Sequence, residues 1–200
     1  MAALCSTQTK EVLNMECFKA YDVRAKVPEQ LDADVAYRIG RAYAQVLDPK
    51  RVVVGYDIRQ TSPELAEALS QGLLDEGVDV YDIGMCGTEE IYFATSHFEM
   101  GGGIMVTASH NPIEYNGIKF VREGSRPLSR DSGLSDIEQV AERNEFGPKQ
   151  TNASKTVLDA RPAYIEHLLS YVNVDELKPL KIVADPGNGG AGLVMKELEK

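Results

Sequence analysis

The sequence predicts an α/β protein: a three-layer α/β/α sandwich on a mixed, mostly parallel sheet, followed by the start of a second, similar domain. Three observations carry this. Short β-branched apolar runs alternate with helical periodicity as far as Phe98, which implies crossover connections and parallel pairing. Asn116-Gly117 signals a hairpin-like turn ahead of the apolar run Ile118–Val121, which makes the sheet mixed. After a polar stretch ending at Ser154, one helix and one strand begin a new unit with too few elements to cover both faces of a sheet.

Taken in order, Phe18-Lys19-Ala20-Tyr21-Asp22-Val23-Arg24 lacks clean periodicity and reads as a short strand or loop before Pro28. Asp32 is placed as an N-cap for a helix whose apolar stripe is Val35, Ile39, Tyr43 and Val46, with Pro49 beyond its end. Arg51–Val54 is a strand that leaves through Gly55-Tyr56-Asp57-Ile58-Arg59. Ser62 is expected to cap the next helix, with Pro63 in the first position, where a missing N–H costs nothing. Leu65, Leu69 and Leu73 form its buried stripe, and Gly77 ends it.

Val78–Ile83 reads as a strand, and Thr88–Phe98 as a helix with Glu89 and Glu90 at its positive end. Gly101-Gly102-Gly103 then leads into the buried strand Ile104-Met105-Val106. Arg122, Arg126 and Arg130 fall in a Gly/Ser/Pro-rich loop, as solvated charges or an anion site. Ser135–Arg143 is helical, and Gly147-Pro148 lies in the polar stretch that separates residues 1–154 from the incomplete unit 155–200. Arg161–Tyr171 is a helix carrying His167 as a surface residue, and His97 reads as structural. Leu180–Ala184 is expected as a strand. It runs into Gly187, Gly189 and Gly192, which satisfy the dinucleotide spacing G-x-G-x-x-G. The match is weak, because the confirming acidic residue would fall about 20 positions further on, past Lys200.

Two hundred residues suffice for one full core, or for one domain and part of another. A net charge of −10 argues against nucleic acid or an anionic membrane as partner, so an anionic ligand needs a local basic pocket. No apolar run approaches the roughly 20 residues that span a bilayer. Met1–Lys10 has no apolar core of a signal peptide. Cys5, Cys17 and Cys86 lack metal-ligand spacing and read as free thiols of a cytoplasmic protein.

Chemistry is concentrated in Thr107-Ala108-Ser109-His110-Asn111-Pro112, at the end of the glycine-led strand. A serine held at a strand end is a common nucleophile, and Pro112 keeps Asn111 extended. A polar turn bonding its own backbone is the plainer alternative. Ser109 with His110 also admits a serine hydrolase, against which stand the adjacency of the two residues and the lack of a G-x-S-x-G elbow.

Several segments together resemble one family. Thr107–Pro112 resembles the phosphoserine loop of the α-D-phosphohexomutases, and Phe18–Arg24 their N-terminal signature. Thr88-Glu89-Glu90-Ile91-Tyr92-Phe93-Ala94 and Tyr115-Asn116-Gly117 are similar to the bacterial phosphomannomutase branch that serves GDP-mannose synthesis. The resemblance implies four α/β domains around one cleft, of which this chain holds the N-terminal portion. It implies that Ser109 is a phosphoserine, with one phosphate oxygen on Mg²⁺, and that a sugar bisphosphate acts as activator. It places Tyr21, Arg24, His110 and Lys119 at the reacting sugar and phosphate. Phosphate would pass from Ser109 to mannose 6-phosphate or mannose 1-phosphate, and the bisphosphate intermediate would reorient and return its other phosphate.

Two departures from the family pattern stand out. Ala25 replaces the usual glycine after the arginine, which would strain the backbone if that position needs positive φ. The family's Asp-Gly-Asp-x-Asp-Arg metal loop, its Gly-Glu-x-Ser sugar loop and its last phosphate loop are absent from these 200 residues. The isolated chain is therefore expected to have negligible mutase activity, with a non-catalytic truncated product or a phosphosugar-binding module as the alternative. Surfaces that further domains would cover could drive self-association.

Overall fold

A computed structural model describes residues 15–199. The readings of Met1–Lys10 and of Cys5 fall outside them. Strands and helices succeed one another as β1 (Val23–Lys26), α1 (Ala33–Leu47), β2 (Arg51–Tyr56), α2 (Ser62–Asp75), β3 (Asp79–Met85), α3 (Thr88–His97), β4 (Gly102–Val106) and β5 (Tyr115–Arg122). Then come β6 (Arg126–Pro127), α4 (Leu134–Arg143), β7 (Lys155–Val157), α5 (Arg161–Leu169) and α6 (Gly192–Leu198). The sheet runs β1-β5-β4-β2-β3-β7, with β6 on β5. β4, β2, β3 and β7 are mutually parallel, and β5 runs antiparallel to β1, β4 and β6. The architecture is thus the mixed, mostly parallel sandwich that the alternation of elements predicts.

Alternating side chains divide the core into two layers. Val52, Val54, Ile104, Val106, Ile118 and Phe120 point to one face, under α1, α2 and α4. Val53, Met105 and Val121, the residues between them, point to the other, under Ile91 and Ala94 of α3. Asp32 caps α1, its carboxylate accepting from Val35 N–H at 2.8 Å. Glu90 accepts from the Gly87 N–H at 2.7 Å and so closes the entry to α3.

The glycines ahead of Ile104 are there for close approach. A Cβ at Gly102 would overlap the Tyr43 hydroxyl, which donates to Val121 O at 2.8 Å. A Cβ at Gly103 would overlap Thr95 Oγ1 of α3 and press on Ile91. Both helix layers therefore touch the bare backbone of β4.

Four expectations are corrected. Asn116-Gly117 lies within β5 and is not a turn, because the Asn116 side chain is buried and accepts its neighbour's N–H at 2.8 Å. The sheet is mixed because the whole 107–114 loop reverses the chain between β4 and β5. Ser62 does not cap α2: Thr61 holds that position, and the Ser62 hydroxyl turns inward to donate to Asp57 at 2.6 Å. Arg122 and Arg126 belong to β5 and β6, not to a loop.

The fourth concerns Leu180–Ala184, which forms no strand; Leu180, Ile182 and Val183 stay 78%, 74% and 91% exposed. An extended segment needs a neighbouring edge for its backbone groups, and among the described residues it has none. β7 lies just past Ser154 and pairs with β3. Ala25 carries no strain, being an ordinary buried residue of β1 paired with Asn116. No described helix is long and apolar enough to cross a membrane.

Gly103→Ala is expected to destabilise the protein by about 1–3 kcal/mol, because a well-packed layer must shift to admit the methyl group. Gly147→Ala, where a Cβ meets nothing within 4 Å, is expected to be near neutral. Urea denaturation of both variants measures the difference.

Candidate active site

The sheet order reverses between β2 and β4: the chain steps from β2 outward to β3, then returns to place β4 on the other side of β2. Loops leaving the C-terminal ends of two such strands diverge, and the crevice between them is where open α/β sheets bind ligands. Here the two loops are Asp57-Ile58-Arg59 after β2 and Thr107–Glu114 after β4. Ser109 and His110 are exposed on the second loop, at the top of the fully buried strand β4.

Ser109 has a left-handed backbone, with φ 56°, which a side-chain-bearing residue adopts only when its surroundings enforce it. Its N–H donates to Thr107 Oγ1 at 2.9 Å, and that hydroxyl donates to Asp57 Oδ2 at 2.7 Å. Its carbonyl accepts from Arg59 Nη2 at 3.0 Å. The same guanidinium donates to Asn111 O at 2.6 Å, Pro112 O at 2.8 Å and Tyr115 O at 3.0 Å. Asp57 Oδ1 accepts from Ser62 Oγ at 2.6 Å and from the Arg59 N–H at 3.0 Å. Asn116 donates to the Ser62 hydroxyl at 2.9 Å, tying β5 to this frame. Ser109 Oγ has no hydrogen-bond partner among the described residues, so no Ser-His pair of hydrolase type is formed. Ser109 lines the open space in front of the loop instead.

Arg24 and Lys119 approach the loop from β1 and β5. Arg24 pairs with Gly117, and Lys119 stands two residues further along β5 on the same face. Arg24 Nη1 donates to Asn111 Oδ1 at 2.7 Å. Arg24 Nε and Lys119 Nζ each lie 3.0 Å from Asp22 Oδ2. Four of the five site residues expected from sequence, Ser109, His110, Arg24 and Lys119, are thus set around one loop system, with Arg24 and Lys119 in direct mutual reach of one carboxylate. Tyr21, next in sequence to Asp22, is 74% exposed and makes no hydrogen bond among the described residues.

Two cavities flank Ser109 and His110. One, of about 490 Å³, runs between Asp57, Thr88, Glu89 and Tyr164 to Gly189 and Gly190. The other, of about 590 Å³, is lined by Arg59, Gln60, Asn111, Ile113 and Asn188. The glycine-rich turn read as a dinucleotide fingerprint therefore faces the serine loop across open space. Cys86 lines the first cavity, but burial pushes its thiol well above the ordinary range, and Glu90 adds to this. It is no nucleophile at neutral pH. Burial likewise pushes the Cys17 thiol up to about 12.

Among the described residues no group of three or more His, Cys, Asp or Glu side chains is gathered to hold a metal ion. The donor set among the described residues does not fit a self-contained Mg²⁺ centre. Asp22, Asp57, Arg59 and Thr107 join this hydrogen-bonded frame although the sequence motifs do not single them out. The signal for Asp57 and Arg59 was present, since their loop leaves the strand adjacent to β4.

Comparison with known proteins agrees with this geometry. Residues 15–148 match the family described as phosphoglucomutase/phosphomannomutase, alpha/beta/alpha domain I. A phosphomannomutase of Salmonella montevideo is 55% identical over 188 residues, covering 93% of this chain and 41% of that protein. A protein of Xanthomonas campestris pv. campestris (strain B100) named for phosphohexose mutases is 51% identical over 183 residues, covering 92% and 41%. The crystal structure of a phosphoglucomutase/phosphomannomutase family protein from Burkholderia thailandensis superposes with a TM-score of 0.82 at 36% identity, covering 91% of this chain and 41% of that one. The chain thus spans about two-fifths of the length of these relatives, with 41% covered in each. Fold, serine loop and sequence likeness agree: the chain belongs to the phosphoglucomutase/phosphomannomutase family.

Proposed function

We propose that this chain is the phosphoryl-carrying part of a cytoplasmic phosphomannomutase that interconverts mannose 6-phosphate and mannose 1-phosphate for GDP-mannose synthesis, with Ser109 as the residue phosphorylated. The observation that carries the reading is Ser109 itself: a serine in enforced left-handed geometry, its backbone tied on both sides and its hydroxyl unpartnered in a crevice. Phosphoryl transfer needs positioning and stabilisation of charge on the equatorial oxygens more than covalent help from the protein. In the loading step a sugar bisphosphate gives one phosphoryl group to Ser109 Oγ. The bond from phosphorus to the sugar oxygen breaks, the bond to Oγ forms, and the hydroxyl proton ends on the released sugar oxygen. Transfer to a hexose monophosphate is the reverse, and a turn of the bisphosphate between the two exchanges the phosphorylated position.

Arg24 supplies a planar fork of donors and Lys119 a point charge for the phosphoryl oxygens. His110, exposed beside Ser109, can donate to a sugar hydroxyl or move a proton at the reacting oxygen. Tyr21 offers an exposed ring and hydroxyl to the sugar. Mg²⁺ would reach this chain only through a phosphate oxygen on Ser109, and the acidic ligands to complete its shell are not gathered among the described residues.

Incubated with a hexose 1,6-bisphosphate, the protein is expected to gain one phosphate mapping to Ser109 by mass spectrometry, with none on Ser109→Ala. Phosphate on another residue, with Ser109 unmodified, overturns the assignment. Arg59→Ala is expected to cut the rate of uptake about ten-fold or more while leaving Ser109 the only acceptor, because the loop that positions the Ser109 hydroxyl loses the donor to four of its carbonyls. Quench-flow labelling with radioactive bisphosphate measures it. A coupled assay on the 200-residue chain alone is expected to show negligible turnover of mannose 1-phosphate.

A further inference from the structure

We infer that Asp22 is a positioning residue of the phosphate site: a built-in counterion that holds the Arg24 guanidinium and the Lys119 ammonium side by side, and that an arriving phosphate displaces. This rests on the reading above, in which those two cations receive the phosphoryl group.

The two strands bring the three side chains together by register. Val23 pairs with Ile118 and Arg24 with Gly117, so Asp22 follows directly opposite Lys119. Both cations meet one oxygen, Asp22 Oδ2, each at 3.0 Å. The carboxylate is the more enclosed partner, its side chain 11% exposed against 26% for Arg24 and 28% for Lys119. Gly117 makes the arrangement possible. A Cβ there would overlap the Val23 carbonyl and lie 3.3 Å from Arg24 Cγ, so the Arg24 chain lies across the glycine to reach both Asp22 and Asn111.

Arg24 is therefore tied at Nε by Asp22 and at Nη1 by Asn111 of the serine loop, and Nη2 has no hydrogen-bond partner among the described residues. Lys119 keeps two of its three donors beyond the one on Asp22. What remains free on both cations is the side not facing Asp22, the side a tetrahedral dianion would take. Like charges this close repel, and each would swing into solvent without the carboxylate between them. Asp22 thus opposes phosphate binding in the ground state and at the same time fixes the donors where transfer needs them.

These two effects have opposite signs, which makes the role testable. Inorganic phosphate titrated into the isotopically labelled chain, followed by NMR, is expected to bind about three- to ten-fold more tightly to Asp22→Asn than to the unaltered protein, with steeper weakening by salt. The rate of Ser109 phosphorylation from a hexose bisphosphate is expected to fall in the same variant, and Asp22→Glu to recover part of it. A merely structural loss would weaken binding and rate together. If Arg24→Ala and Lys119→Ala weaken phosphate binding but Asp22→Asn leaves it unchanged or weaker, the inference about Asp22 is overturned and the phosphate site stands. If neither Arg24→Ala nor Lys119→Ala changes phosphate binding, the reading of the site itself falls. Thermal melting establishes that each variant is folded, and Asp22→Ser carries the same expectation where Asn is not tolerated.

Discussion

The serine loop depends on one guanidinium. Between β4 and β5 the chain turns the carbonyls of Ser109, Asn111, Pro112 and Tyr115 toward the protein, and Arg59 meets all four with two of its nitrogens. Backbone carbonyls enclosed without donors are costly, and a loop of this shape has no ladder of its own to supply them. Arginine suits the task because its fixed fork points several donors outward from one plane. Asp57 lies behind it, with Arg59 Nε 3.4 Å from Oδ2, and keeps the enclosed charge from standing alone. Because Asp57 also holds Thr107 and Ser62, the loop after β2, the loop after β4 and the start of α2 are tied into one frame. That frame is what lets Ser109 keep a backbone geometry it would otherwise leave.

Charge at the site runs against charge on the chain. With a net −10, the distant field repels an anionic ligand, but that field is screened beyond roughly 10 Å at 0.1 M salt. An anionic ligand would then have to be recognised at hydrogen-bond range, where Arg24 and Lys119 present their charges from two adjacent strands. The arrangement favours a short-range clamp over long-range steering. The cations are not left bare: Asp22 Oδ2 lies 3.0 Å from each, at the end of the same strand pair.

The fold was legible because its signals are local and periodic. Val35, Ile39 and Tyr43 announce α1, and Leu65, Leu69 and Leu73 announce α2, at spacings that only one burial pattern satisfies. Asn116-Gly117 misled for an equally physical reason. The pair favours a turn when both residues are exposed, but here the Asn116 side chain is fully buried and Gly117 is needed bare beneath Arg24. Ser62 misled likewise, since a hydroxyl near a helix start can cap it or serve a tertiary partner; it donates to Asp57, 5 residues earlier, and accepts from Asn116, 54 residues later on β5, a link that tertiary pairing makes and spacing does not report. Ser109, Arg24 and Lys119 were legible through motif likeness, whereas Asp57, Arg59 and Asp22 matter through contacts that no spacing encodes.

Topology accounts for where those contacts gather. α2 follows β2 on one face of the sheet, whereas β4 is followed by the 107–114 loop and its antiparallel neighbour β5, so the chain leaves the tops of two neighbouring strands toward different elements. The gap between them cannot be filled by either connection, and it is there that Ser109 stands. The turn Gly187–Gly192 faces that gap from the far side of the cavities, and a Cβ at Gly190 or Gly192 would meet nothing within 4 Å. Packing does not demand glycine there. The turn presents the bare backbone of Gly189 and Gly190 to the space in front of the serine. The serine loop and the glycine turn are then two walls of one opening, one rigidly framed by Arg59 and the other attached through α5, whose Arg161 reaches back to Glu90 at 3.1 Å and to the Met85 carbonyl at 2.7 Å.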